Sequence, residues 1–174
     1  IEVLTSDFGP VVGRDGAGRA IAVQWVSQFT AGTNLRAMGM ATAQSVAEAL
    51  AVARGAGIPA QNLTVGDAAG DSAWTVMGQV PQRLAPPLDV PRLSTDPAAA
   101  WQGVGPPPEA LPRLNPADGR IWTANARVGG VDTGGLSPDE QAAVAAYQAV
   151  GSSRFDRGAR NRQIRDDQIG RAHV

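Results

Sequence analysis

The sequence predicts an α+β fold in which mainly antiparallel strands come first and helices last. Three observations carry this expectation. Residues 62–77 form two strand-like runs around a Gly70-Asp71 turn, the pattern of a β-hairpin. Residues 42–54 place Val46, Ala49, Leu50 and Ala53 at helical spacing, ahead of Gly55 and Gly57 as stops. Ser137-Pro138-Asp139-Glu140 then combines an N-cap Ser, a Pro at the first helical position and a Glu in the capping-box place, opening a helical last third.

The elements follow in order. Residues 2–6 read as a strand, and Phe8-Gly9-Pro10 as a turn into Val11-Val12. Asp15-Gly16-Ala17-Gly18 is a hairpin-type turn, because Gly supplies the positive φ that such turns need. Residues 20–26 form a mostly apolar strand expected to be covered on both faces. A short helical turn over 33–40 precedes the helix at 42–54. In the second strand of the 62–77 hairpin, Ala73, Thr75 and Met77 share one face, while Trp74 and Val76 share the other. Most of the 13 prolines fall within 81–118, which predicts a long Pro-rich loop with neither strand nor helix, lying over a larger body. A short strand is expected over 119–126. The helix from Ser137 runs to Gly151, and a second helix spans 153–169, with Arg157, Arg160, Arg162, Arg165 and Asp166 solvated. The 174 residues thus divide into strands and a helix (1–80), a Pro-rich loop (81–118), and a strand with helices (119–174).

Composition excludes several classes of function. Fifteen basic residues against 16 acidic ones give a net charge of -1, without the electrostatic footprint of a nucleic-acid binder. All the bases are Arg, which reflects coding composition more than partners. With no Cys there is no disulfide framework, thiol nucleophile or thiolate metal site. The one His, His173, excludes a His-cluster zinc site and a His-based triad built within these residues. Hydrophobic residues make up 43% of the chain, and no apolar run approaches the ~20 residues needed to span a bilayer. The opening Ile1-Glu2-Val3-Leu4-Thr5 alternates like a strand already under way, so a piece of a longer polypeptide is expected.

Few residues carry chemistry on their own. Asp67 and Asp71 flank a turn and could bind a hard cation or act as an acid–base pair. They lack the other oxygen ligands of a calcium loop, and turn-forming carboxylates with local hydrogen bonds are the better reading. Gly13-Arg14-Asp15-Gly16-Ala17-Gly18 opens a strand, so it lacks the helix terminus of a phosphate cradle. Trp25, Trp74 and Trp122 lie in expected strands and read as core. Asn125 ends a short apolar strand. Its amide could donate to a developing oxyanion, although an Asn closing a strand by bonding to backbone is the commoner case.

Several segments together resemble the β-subunit of the penicillin acylase family of N-terminal nucleophile hydrolases. Thr5-Ser6-Asp7-Phe8-Gly9-Pro10-Val11-Val12 is similar to a T-x-H-G-P-V-like stretch, with Phe8 in place of the usual His. Ala22-Val23-Gln24-Trp25 resembles the following apolar strand. Pro59-Ala60-Gln61-Asn62, the run to Asp67, then Gly78, Pro81 and Arg83 look like the family's P-x-Q-N and G-x-x-P-x-R elements. Its turn, Gly70-Asp71-Ser72-Ala73, departs from the common G-N-I-G. Trp101-Gln102-Gly103, Asn115-Pro116 with Gly119, and Ala124-Asn125 resemble the W-x-G, N-P-x-x-G and A-N elements. Phe155-Asp156, Gly158-Ala159-Arg160 and Ile164-Arg165 are similar to the later helix.

The resemblance implies an internal part of an αββα sandwich. The intact enzyme would cleave an amide between an apolar acyl group and a small amine, as in β-lactams, acyl-homoserine lactones or other N-acyl amino compounds. Its nucleophile would be a Ser, Thr or Cys freed by self-cleavage at the start of the β-subunit, with its own α-amino group as base. That residue lies upstream of these 174, so they would be inactive alone. Their partners would be the remainder of the precursor, namely the α-subunit and the upstream β-subunit. The resemblance makes Asn125 the oxyanion-hole residue. It requires no cofactor for the chemistry, and it implies a structural calcium ion with the Pro91 carbonyl and the Asp132 carboxylate among its ligands. It also implies a periplasmic or secreted protein. The rival reading is a non-catalytic binding or structural module on the same scaffold.

Overall fold

The computed structural model describes residues 2–85, 90–109, 113–117 and 119–124, together with Pro138, Gln141, Arg160, Gln163, Ile164, Asp166 and Asp167. Their architecture is α+β, and every strand pairing among them is antiparallel. Strands β1 (Thr5–Ser6), β2 (Gly9–Arg14) and β3 (Ala20–Ala22) form a first sheet in that order. The β2–β3 turn is held by Asp15, which accepts from the backbone N–H groups of Ala17 and Arg19, each at 2.9 Å, and from Arg19 Nε at 2.7 Å. Three 3-10 turns follow, Val26–Gln28, Thr30–Gly32 and Arg36–Ala41, leading to helix α1, Val46–Gly55.

Helix α1 starts later than its hydrophobic period predicts because Ser45 caps it, accepting from the Glu48 N–H at 3.2 Å. Val46, Ala49 and Ala53 are buried as expected. The helix packs against the hairpin of β4 (Gln61–Gly66) and β5 (Ser72–Met77), whose register runs unbroken from Gln61↔Met77 to Gly66↔Ser72. The core joins Ala53, Ala56 and Met77, with Ala37, Met40, Ile58 and Leu63 around them. Ala73, Thr75 and Met77 are all buried on the face assigned to them, and Val76 is buried on the other. Each larger apolar side chain withdrawn there contributes about 1.5–3 kcal/mol.

Side chains from distant segments close the C-terminal end of α1. Buried Gln79 donates through Nε2 to the carbonyls of Arg54 (3.1 Å) and Ala56 (3.2 Å). Asn34 donates to the Gly55 carbonyl and accepts from the Gly57 N–H at 2.8 Å. Gly78 sits at φ +111, with its N–H on the Ala53 carbonyl. A Cβ there would lie 2.6 Å from the Ile58 carbonyl oxygen, so only glycine fits.

Several expectations are corrected. The region 81–118 is not a structureless loop. It contributes to β6 (Val80–Arg83), a 3-10 turn at Pro97–Ala99, β7 (Trp101–Gly105) and β8 (Arg113–Leu114). Pro81 is tolerated because, among the described residues, β6 and β7 form a two-stranded ladder in which each strand is an edge, and the register shifts between Pro81 and Arg83. Residues 119–124 form no ladder, so the strand expected at 119–126 is absent from its described part. The strand at 20–26 ends at Ala22, where the chain bends toward the Val26–Gln28 turn. It is not covered on both faces, since Ala20 and Val23 are exposed. Trp25 is 57% exposed and is not core. In the last third, Pro138 and Gln141, then Arg160, Gln163, Ile164, Asp166 and Asp167, are helical and exposed; the remainder of both expected helices lies outside the described residues.

Candidate functional site

The approach to position 125 is built from a short edge strand and a locked turn. Strand β8 pairs with β5 through Ala73↔Leu114 and Trp74↔Arg113. Asn115 then fastens the chain to the β4–β5 turn. Its Oδ1 accepts from the Ser72 N–H (2.7 Å), its Nδ2 donates to Asp71 Oδ1 (2.8 Å), and its own N–H reaches the Ser72 carbonyl (2.8 Å). It takes a positive φ of 39, which Asn tolerates better than most side chains. Gly119 closes the next turn, donating to the Pro116 carbonyl at 2.7 Å. Residues 120–124 continue half-buried to Ala124. There Arg160 Nη2 donates to the Ala124 carbonyl at 3.1 Å, across 36 residues of sequence. Asn125 and Asp132 both lie outside the described residues.

The sequence predicts Arg160 as a solvated helix residue. It is exposed, yet it grips the peptide group that joins Ala124 to position 125. The sequence signal was its place in the Gly158-Ala159-Arg160 element; nothing local indicates the contact.

Asp67 and Asp71 behave as turn carboxylates. Asp67 Oδ1 accepts from the N–H groups of Ala69 (3.0 Å) and Asp71 (3.1 Å), while Oδ2 accepts from the Val46 N–H (3.0 Å) in the first turn of α1. The Val46 bond, first, and the turn bonds hold this carboxyl below its ordinary range. Asp71 is taken up by Asn115. Neither carboxylate is among the residues that line the cavity described below. Among the described residues, no three His, Cys, Asp or Glu side chains converge on a metal position.

A cavity of about 740 Å³ opens between the β2–β3 hairpin and the β6–β7 ladder. Its walls include Phe8, Ile21, Leu93, Trp101, Arg83 and Arg92. Trp101 stacks on Phe29, with ring centroids 6.0 Å apart and planes at 20°. The Arg83 guanidinium lies 5.3 Å from the Trp101 centroid, and burial pulls its pKa below the ordinary arginine value. Pro91 stands exposed on the same wall. The nearby Asp96 is held by the Ala98 N–H and by Arg92 at 2.9 Å, with its carboxyl below the usual range for those reasons. Among the described residues Pro91 offers its carbonyl, and no three His, Cys, Asp or Glu side chains converge beside it. They do not by themselves fit a calcium ion. The Arg83–Trp101 pairing escaped the sequence reading because it depends on the β6–β7 ladder.

A family model described as penicillin amidase matches residues 1–171, nearly the whole chain. No curated protein matches the sequence at a significant level.

Proposed function

The chain belongs to the penicillin amidase family, and from that membership we propose that the full-length protein hydrolyses the amide between an apolar acyl group and a small polar amine. Side-chain amides of β-lactams, acyl-homoserine lactones and other N-acyl amino compounds are the substrate class. The family match over residues 1–171 is the observation that carries this reading.

In this reading the nucleophile is a Ser, Thr or Cys outside these residues, exposed at a chain start by self-cleavage. Its hydroxyl or thiol adds to the substrate carbonyl while its own α-amino group takes the proton. The amine then leaves with that proton, and water hydrolyses the acyl-enzyme to the acid. Asn125 donates its amide N–H to the oxyanion formed in both halves of the reaction. The locked turn at Asn115 and the Arg160 contact at Ala124 support this role, since both constrain the backbone that delivers Asn125. A donor is effective only when it is fixed before charge develops. The same reading includes a structural calcium ion held in part by the Pro91 carbonyl and Asp132, partners from the rest of the precursor, and a periplasmic or secreted location.

The test is hydrolysis of a chromogenic N-acyl amide by the full-length protein, with mass analysis and N-terminal sequencing of every chain it yields. We expect a chain beginning with Ser, Thr or Cys, and a drop of about 10²–10³ in kcat for Asn125→Ala. If no such chain forms and no amide is cleaved, a non-catalytic module on this scaffold takes over.

A further inference from the structure

We propose that the cavity between the β2–β3 hairpin and the β6–β7 ladder binds a short, uncharged, extended peptide, which adds as an antiparallel strand to the edge of β3 and sets an aromatic side chain against Ile21. Among the described residues β3 ends the sheet order β1-β2-β3. Its residues Ala20, Ile21 and Ala22 all line the cavity, whose volume of about 740 Å³ lies within the range of ligand sites, roughly 300–1,000 Å³. Successive side chains of a strand point to opposite faces, so three in a row line one space only where the strand turns its edge to it.

The ladder fixes which backbone groups look outward from that edge. In an antiparallel pair, hydrogen-bonded and non-hydrogen-bonded positions alternate. Asp15 donates its N–H to the Arg19 carbonyl at 2.9 Å, so the next pair, Arg14↔Ala20, is non-hydrogen-bonded. At the other end Val23 donates to the Pro10 carbonyl at 3.0 Å, while the Val11 N–H turns away from β3 to the Leu4 carbonyl at 2.8 Å. Ala22, the partner of Val11, is therefore non-hydrogen-bonded too. The N–H and C=O groups of Ala20 and Ala22 thus point away from β2, two residues apart, which is the spacing that an added strand meets. The charged walls are already engaged. Arg19 binds Asp15 at 2.7 Å, Arg92 binds Asp96 at 2.9 Å, and Arg83 lies over Trp101 and is engaged beyond it. An uncharged peptide backbone matches the groups that remain. Its central residue would stand opposite Ile21 on the same face, where an aromatic side chain makes a favourable cross-strand pair.

This site does not depend on the hydrolase reading or on Asn125. The probe is acetyl-Val-Phe-Val-amide, titrated into the full-length protein and followed by calorimetry. Saturable binding of one peptide is expected. Methylating both valine nitrogens removes the donors that face β3 and should weaken binding about tenfold or more. A glycine-centred peptide should bind about threefold or more weakly, having lost the pair with Ile21. Ala20→Pro deletes an outward N–H and no bond of the β2–β3 ladder, so it should fold and bind the probe about fivefold more weakly. If that variant fails to fold, the methylated peptide still tests the proposal on the unaltered protein. Asn125→Ala should bind the probe as the parent does even if it hydrolyses nothing, which separates the two proposals. Absence of saturable binding, equal affinity for the methylated or the glycine-centred peptide, or unchanged affinity in folded Ala20→Pro overturns the inference.

Discussion

Helix α1 with the β4–β5 hairpin, and the β1–β3 sheet, are built from similar kinds of residue but end in different states. The first unit buries Val46, Ala49, Ala53, Ala73, Val76 and Met77. The second buries nothing fully, and leaves Val12 exposed at 63%, with Val3 and Leu4 just ahead of it exposed at 59% each. Both have regular antiparallel hydrogen bonds and well-formed turns. Backbone pairing therefore makes a strand in either case, but only a covering layer makes it part of a core. Among the described residues that layer is α1, which packs on the β4–β5 hairpin.

The largest effect that would test this difference belongs to Gly78→Ala. The substitution meets both a φ of +111 and the Ile58 carbonyl at 2.6 Å, and should cost about 3 kcal/mol in urea unfolding of the full-length protein. A neutral result would mean the α1 unit is less tightly built than its contacts indicate. Gln79→Leu comes next. It keeps the volume but strips two carbonyls at the end of α1 of their donor, for a loss of about 2 kcal/mol in the same assay.

Asp67 sharpens the contrast through pH. Its folded pKa lies below the ordinary value of 3.8, so its contribution is complete above that value and is lost as pH falls through it toward the lower folded pKa. The Asp67→Asn variant should therefore show a flatter acid limb of the melting midpoint below about pH 4, converging on the parent as the carboxyl protonates. An unchanged slope would remove Asp67 from the α1 unit's electrostatics. The smallest effect is expected for Val12→Ser, under about 0.5 kcal/mol, because Val12 is already in contact with water. A cost above about 1 kcal/mol in the full-length protein would show that chain beyond these residues covers the first sheet.

What could be read from the sequence follows the same division. Helix α1 and the β4–β5 hairpin are marked by local signals: the apolar spacing of Val46, Ala49 and Ala53, and the Gly70 turn at φ +92, although the Ser45 cap that sets the start of α1 is not among the signals read. The β6–β7 ladder was hidden because Pro81 argues against a strand unless its neighbour on one side is missing, which no local pattern announces. Trp25 misled for a related reason. Aromatic residues in apolar runs are usually core, but this one has no cover among the described residues. Asn125 could be singled out only by resemblance, and the Arg160 contact beside it is a tertiary event separated by 36 residues.

The way α1 ends bears on how the molecule assembles. At ten residues the helix is at the short limit for standing alone in water, where initiation is the costly step. Its final carbonyls are met by Asn34 from upstream and Gln79 from downstream, each more than 20 residues away. The terminal carbonyls of the helix thus gain these caps only when both flanking segments have arrived. Helix formation and docking of the sheet become one kinetic event, limited by closure of two loops and not by the rate at which a helix grows.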